Sequence, residues 1–354
     1  MKDRPLASLC VMFHNQVAYA RATLESAFAQ TYEPLEIVIS DDASTDGTSE
    51  LLCEMVAAYR KRGGQHTVIY HRNEQNLGML GNRHCVFSLA NGELLVNADG
   101  DDIALPNKVE VLVTAWLIAK KEPMLIRGEG ICIDLKDRFV GATDCCGKRM
   151  GAVLAVCASA MRLYPSVLRD AAFHAHDDVV VANRATMLGP VLWIDEYLFL
   201  YRMGSGLSSG GGYRRKMVRG FTGLIAAAAQ MSVDLNCVRD RMSTEAIKEV
   251  ERRINEYSRM SEKALKLWNG NNFRERIRGY RQYAITCTGA KMGLICILLL
   301  LPRRSGDFVL SILDLLHQML LRIRMRRVCV TSYSPYVAID RGKVVVRSRH
   351  NLVC

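Results

Sequence analysis

Between Val96 and Ile103 the chain reads VNADGDDI, placing Asp99, Asp101 and Asp102 within four residues at the end of an apolar run. Carboxylates this close repel one another, a cost that a cation joining them removes. A divalent ion held by one or two carboxylates and completed by water and phosphate oxygens meets that need, and hard oxygen donors select Mg2+ or Mn2+. Taken alone, the same run also describes a solvated turn whose aspartate caps a helix. A second pair, Asp41-Asp42, closes the apolar run EIVIS, and a third group, His176-Asp177-Asp178, opens an amphipathic segment. Acids at such a start also suit a plain helix N-terminus.

The elements that must position these groups follow from hydrophobic periodicity. Leu6 to Phe13, Glu36 to Ser40, Thr67 to Tyr70 and Glu93 to Ala98 read as short strands. Tyr19 to Gln30, Ser49 to Arg62 and Met79 to Leu89 read as the helices between them. Strand and helix in alternation predict an α/β fold built on a mostly parallel, Rossmann-like sheet with helices on both faces. Ligands of such sheets lie at the carboxyl ends of the strands. Both acidic strand ends therefore open onto one edge and belong to one site.

Past Pro106 the pattern predicts a helix over Lys108 to Lys120 and a strand over Met124 to Ile133. Asp134 to Gly151 reads as a surface loop, and Val153 to Leu168 as an apolar, partly helical stretch. A helix is expected from Asp177 and a strand over VLWIDEYLFLYR; the glycine- and serine-rich Gly204 to Gly212 marks a lid or a domain edge. The organisation expected is a domain over residues 1–212, a helical linker over 213–272 and a basic, apolar C-terminal extension over 273–354.

Charge is unevenly spread. The formal net charge of +11 resides in the extension: residues 1–272 hold 32 basic and 32 acidic side chains, residues 273–354 hold 15 and 4. A neutral globular part argues against nucleic acid as partner, because phosphate neutralisation dominates that affinity. The 12 cysteines lack the paired short spacings of a zinc site. Most, such as Cys10, Cys132 and Cys296, sit in apolar runs and read as buried thiols, and Cys145-Cys146 is not expected to be a redox pair. With no leader-like hydrophobic segment at the start, the chain is expected in a reducing cytosol.

Taken in order, these motifs resemble those of the family 2 glycosyltransferases. The residues that carry the resemblance are Phe13-His14-Asn15, LESAFAQTYEPLEIVISDDASTDGT from Leu24 to Thr48, Asn76, Gly78 and Arg83. They continue with ADGDD followed by Pro106 and Lys108, His176-Asp177-Asp178, and Tyr201-Arg202. The resemblance covers roughly the first 210 residues and implies the GT-A fold and a nucleotide-diphosphate sugar as donor, a UDP-sugar by family habit. It implies that Asp42, with Asp41 beside it, reads the nucleotide base and that Arg83 lies near the nucleotide phosphates. Among Asp99, Asp101 and Asp102, one carboxylate is implied on the ribose and another on the metal, with Asp101 and Asp102 as the metal positions. Asp178, six residues before Arg184, matches the catalytic base, and Asp177 stands where glutamate is usual.

Chemistry agrees with those implied roles. Breaking a sugar–diphosphate bond leaves negative charge that a divalent ion stabilises. The attacking hydroxyl must lose a proton, which a positioned carboxylate accepts. One displacement inverts the anomeric centre. Two departures stand out: Met203-Gly204-Ser205 replaces a histidine common after the Tyr-Arg pair, and the glutamine and Arg-Trp signature of processive synthases is missing after Asp178. Transfer of a single sugar is therefore expected. A nucleotide-sugar-binding scaffold without turnover is the alternative from another class. A nucleotidyltransferase is disfavoured because FHNQVAYAR has no glycine-rich phosphate loop.

The extension contains YAITCTGAKMGLICILLLL from Tyr283 to Leu301 and FVLSILDLLHQMLLRIRMRR from Phe308 to Arg327. Charges inside both runs disfavour a spanning helix. The second has a wide apolar face and a basic end, suited to the plane of an anionic membrane, although a helical hairpin packed on the domain fits the same pattern. The expectation is peripheral attachment to the cytoplasmic face of the cell membrane, where a glycan or lipid-linked acceptor is assembled into cell-surface polysaccharide.

Overall fold

A computed structural model of the protein describes residues 4–142, 152–205 and 213–269. Beyond these it describes positions 309 and 312 and the short strand segments 329–330, 335–340, 343–348 and 352–353. The expectations for Cys145-Cys146, for most of Gly204 to Gly212 and for the two apolar runs of the extension lie outside the described residues.

The two most apolar runs become the sheet centre. β1 (Ala7–Phe13) and β2 (Leu35–Asp41) are buried at every position, as strands covered on both faces must be. The one acid inside β2, Glu36, is satisfied by the Ser8 hydroxyl at 2.6 Å and the Asn91 amide N–H at 2.5 Å. α1 (Val17–Phe28) and α2 (Thr48–Lys61) follow them, then β3 (Thr67–Arg72), α3 (Met79–Leu89) and β4 (Leu94–Asp99). Helix α1 begins two residues before its sequence-based start because Asp46, from a separate loop, accepts the Val17 N–H at 3.0 Å while also capping Thr48.

The second half brings in strands that the pattern conceals. β5 (Ile103–Ala104) has two residues; α4 (Lys108–Ile118) and β6 (Leu125–Ile133) follow it. Lys120 and Lys121, at positive φ, end the turn after α4. β7 (Phe139–Ala142) forms inside the stretch expected as loop, where it pairs with β6. The stretch expected to be partly helical opens instead as β8 (Ala152–Cys157) and only then turns into α5 (Ala158–Met161). The correction is physical: a buried strand and a buried helix both read as continuous apolar sequence. α6 (Arg169–His174), α7 (Asp177–Thr186) and β9 (Val191–Arg202) complete this half.

The sheet runs β3-β2-β1-β4-β8-β6-β9-β5, with β7 paired to β6. Its first four strands are parallel, as the alternation predicts. β8 then enters antiparallel between β4 and β6, and β9 lies parallel to β6, so the sheet is mixed. Residues 213–269, read as a linker, form α8 (Tyr213–Val238) and α9 (Thr244–Asn269). Ala226 and Ala227 of α8 pack with Leu80, Ala171, Ala175 and Val180, while Leu235, Val238 and Val250 join the main core. Among the described residues Arg215–Arg241 is long and apolar enough to cross a membrane, and these contacts bury one side of it in the protein. Farther on, Lys343–Ser348 is a strand.

One core group titrates against the fold. Glu196 in β9 is 2 % exposed, and neither carboxylate oxygen has a hydrogen-bond partner among the described residues. Burial raises its pKa from 4.5 to about 7. Between those values the folded state keeps a proton that the unfolded chain has lost, so the stability present below about pH 4.5 declines until about pH 7. Glu196→Gln is expected to match the parent near pH 4.5 and to exceed it by about 3 kcal/mol at pH 8. Urea unfolding at both pH values checks this, and an equal difference at the two would refute it.

Candidate active site

The register of the sheet sets two acidic strand ends on either side of β1: Phe13 pairs with Asp41 and Met12 with Asp99. The loops leaving these strands interlock. His14 donates from Nδ1 to the Asp42 carbonyl at 2.8 Å, which leaves Nε2 to accept from Asn15 and Asn76. Asn15 and Ala43 both hold positive φ at this crossing, a conformation unfavourable for alanine.

Asp42 and Asp41 are buried within this lattice. Asp42 Oδ1 accepts from Asn73 Nδ2 and the Leu77 N–H, both at 2.8 Å, and its Oδ2 accepts the Gly78 N–H at 3.0 Å. Asp42 thereby shapes the 73–78 segment leading into α3, with both carboxylate oxygens engaged. Asp41 accepts the Ser44 hydroxyl, while its Oδ2 has no hydrogen-bond partner and lies 3.4 Å from Arg72 Nε.

Arg83 joins the strand end to the helix that carries Asp178. It projects from α3, is 5 % exposed, and donates from Nη2 to Asp99 at 2.7 Å and from Nε to Asp177 at 2.9 Å. Burial works against its charge, yet Asp99 and Asp177 outweigh that cost and its pKa is raised. Nη1 is left without a partner. Burial raises the pKa of Asp177, Arg83 opposes the rise, and Asp99 and Asp178 add to it.

The DGDD turn is clamped from two sides. Thr23 donates its hydroxyl to the Gly100 and Asp102 carbonyls at 3.1 and 2.8 Å. A Cβ at position 100 would strike Gln16, the Phe13 ring and the Met12 carbonyl oxygen, so only glycine lets the turn lie against β1. From β9, Arg202 donates its N–H to Asp102 Oδ1 at 2.9 Å and its Nε to the Asp101 carbonyl at 2.8 Å. Ser205 donates to Asp101 Oδ2 at 2.6 Å. Lys108 stands beneath, donating to the Asn97 carbonyl at 2.5 Å, with its pKa pushed down to about 8 by burial.

The crowding leaves an electrostatic signature. Burial raises the pKa of Asp101, with Asp99 adding to it, and raises that of Asp102 well above the usual range, with Asp99 and Asp101 adding. Among the described residues no group of three or more His, Cys, Asp or Glu converges to hold an ion alone. The donor set fits a cation that draws its remaining ligands from water and substrate, as Mg2+ and Mn2+ do. Of the two positions read as metal ligands, Asp102 is turned onto the β9 backbone. Asp101, with Oδ2 taken by the Ser205 hydroxyl, lies beside the half-exposed Asp99 side chain.

Asp178 is exposed, with Oδ1 accepting the Val179 N–H at 2.9 Å. The structure thus gathers Arg83, Asp99, Asp101, Asp102, Asp177 and Asp178 on the carboxyl edge of the sheet and holds Asp41 and Asp42 beneath it. Ser205, Thr23, Asn73 and His176 also organise the site. Their local sequence carries no signal for this, because these partners lie 31 to 104 residues away.

The family model described as Glycosyl transferase family 2 matches residues 8–121. An uncharacterized glycosyltransferase of Haemophilus influenzae is 33 % identical over 114 residues, 32 % of this chain and 33 % of its own length. The Escherichia coli UDP-Glc:alpha-D-GlcNAc-diphosphoundecaprenol beta-1,3-glucosyltransferase WfaP is 31 % identical over 104 residues, 29 % of this chain and 38 % of its length. The match thus spans well under half the length of these relatives. Among solved structures, S. aureus TarS 1-349 in complex with UDP-GlcNAc superposes with TM-score 0.52 at 14 % identity, covering 98 % of both chains. The mannosyltransferase PcManGT from Pyrobaculum calidifontis, in complex with GDP-Man and Mn2+, gives TM-score 0.51 at 14 % identity, covering 92 % of this chain and 86 % of that one. These likenesses show the expected GT-A architecture.

Removing a buried charge from between two carboxylates is expensive. Arg83→Met is expected to destabilise the protein by about 3 kcal/mol at pH 8. The loss should shrink at pH 5, where the abandoned Asp177, its pKa already raised, takes up a proton. Urea titrations at the two pH values measure it; a loss under 1 kcal/mol at pH 8 would contradict the bridging role.

Proposed function

We propose that this chain, a member of glycosyl transferase family 2 through residues 8–121, transfers one sugar from a nucleotide diphosphate to an acceptor hydroxyl with inversion. The observation that carries this reading is the Asp99–Arg83–Asp177 bridge, which sets an exposed Asp178 on the same sheet edge as the DGDD turn.

The donor diphosphate lies over the carboxyl ends of β1, β2 and β4, close to the charge of Arg83. Asp101, with Asp99 beside it, would hold Mg2+ or Mn2+ on the diphosphate, and the ion when bound neutralises charge on the departing phosphate. Asp178 accepts the proton of the acceptor hydroxyl as that oxygen bonds to the anomeric carbon. The bond from that carbon to the phosphate oxygen breaks on the opposite face, and the electron pair leaves with the nucleoside diphosphate. A UDP-sugar is the favoured donor, supported by the UDP-sugars in the names of the E. coli relative and the S. aureus structure. A scaffold that binds the donor without turnover would have no use for Asp178.

The acceptor is a glycan or a lipid-linked glycan of a cell-surface polysaccharide. Its lipid-linked form is supported by the diphosphoundecaprenol acceptor in the relative's name and by the basic surplus of residues 273–354. On this reading the chain works at the cytoplasmic face of the cell membrane, held there by that extension.

Two experiments decide. Asp178→Asn is expected to lower nucleoside-diphosphate release by 10²- to 10⁴-fold while keeping the rise in melting temperature given by UDP with Mn2+; undiminished release would remove the base assignment, and Asp101→Asn should lose the Mn2+-dependent part of that rise. Full-length protein is expected to sediment with phosphatidylglycerol vesicles at low salt, to be released by high salt, and to ignore phosphatidylcholine vesicles. A protein that stays in the supernatant at low salt overturns the attachment.

A further inference from the structure

Helix α8 lies wholly outside the segment matched by the family model, yet it touches the start of the helix that bears Asp178. His176, the residue before α7, donates from Nε2 to the Gly220 carbonyl at 3.1 Å. One turn farther along α8, a Cβ at Gly223 would stand 2.7 Å from the His174 carbonyl oxygen and 2.8 Å from His176 Nε2. Glycine weakens a helix interior, and here the buried Gly223 is what allows the two backbones to meet.

The same helix grips the other end of α7. Asp234 receives Arg184 on both oxygens, at 2.7 and 2.8 Å, with both side chains almost wholly buried. Gln230 donates to Asp234 and to the Ser166 carbonyl and accepts the Leu168 N–H. α7 is therefore held by α8 at both ends, while Asp177, between His176 and Asp178, is held by Arg83 of α3. Among the described residues Asp178 itself makes only the hydrogen bond to the adjacent Val179 N–H, so its direction depends on its anchored neighbours.

We propose that His176 and Gly223 are positioning residues that aim Asp178, making α8 part of the catalytic apparatus. The inference rests on the reading of Asp178 as the base. Gly220 and Gly223 meet α7 at His176 and His174, whereas the donor-side groups Arg83 and Asp99 reach it through Asp177, so the two contacts can be varied separately. Loosening the His176 contact lowers the chemical step and spares the donor site.

The test uses full-length protein and, as donor, whichever of UDP-glucose, UDP-GlcNAc and GDP-mannose gives the largest Mn2+-dependent rise in melting temperature. His176→Ala and Gly223→Ala are each expected to lower kcat at least tenfold, to leave the donor KM within twofold, and to keep the melting shift given by UDP with Mn2+. His176→Gln, which restores a side-chain N–H, is expected to recover most of the lost kcat. In an Asp178→Asn background His176→Ala should cause no further loss, as befits a residue acting through Asp178. Unchanged kcat in His176→Ala, a parallel collapse of donor binding, or a further loss in the double variant would each overturn the proposal. If Gly223→Ala does not fold, the His176 pair decides alone. Asp178→Asn with full turnover brings down the base reading; an inactive Asp178→Asn beside a fully active His176→Ala brings down only the positioning.

Discussion

A buried guanidinium holds the site together. Arg83 lies in the protein with almost no access to water, a position costing several kcal/mol for an isolated ion. It is tolerated because Asp99 and Asp177 close on it from two elements that are distant in sequence. The pair of bonds is also a ruler, fixing the end of β4 relative to the start of α7 and hence the acidic turn relative to Asp178. A protein needing only stability would gain by replacing such a triad with apolar side chains. The retained charge makes sense as a means of placing two chemical groups at one distance.

The second constraint is like-charge crowding. Three aspartates in four residues repel one another, and here each is managed differently. Asp99 is neutralised by Arg83, Asp102 is pinned to the Arg202 N–H, and Asp101 is held by Ser205. Lys108 and Arg202 supply positive charge without occupying the open side. Asp101 and Asp102 nevertheless keep raised pKa values, so the turn still favours an added positive charge.

Periodicity made the parallel half of the sheet legible because β1, β2 and β4 are continuous apolar runs and α3 has good boundaries in sequence. β8 was hidden because an apolar stretch has no period that separates strand from helix; β5 and β7 were hidden because two and four residues hold no pattern. The site was legible wherever adjacent residues carry the chemistry, as in DGDD and Asp177-Asp178. It was illegible where a role depends on who arrives from elsewhere. Asp101 and Asp102 are interchangeable in sequence and become distinct only when Arg202 and Ser205 come from a strand and turn about 100 residues later. Asp42 reads as a free acid until Asn73, Leu77 and Gly78 close around it.

The same dependence on partners decides what the last third of the chain means. α8 has the length and hydropathy of a membrane span, yet its alanines at 226 and 227 pack on Leu80 and Val180, and it carries an Arg184–Asp234 ion pair in its buried face. An ion pair there is senseless in lipid and useful in a core that must register one helix against another. Apolar content in this helix therefore serves the catalytic domain, and the case for a membrane passes to the segment beyond it. There charge and hydrophobicity occur together, fifteen basic residues among long apolar runs, and the proposed attachment to an anionic surface rests on that composition.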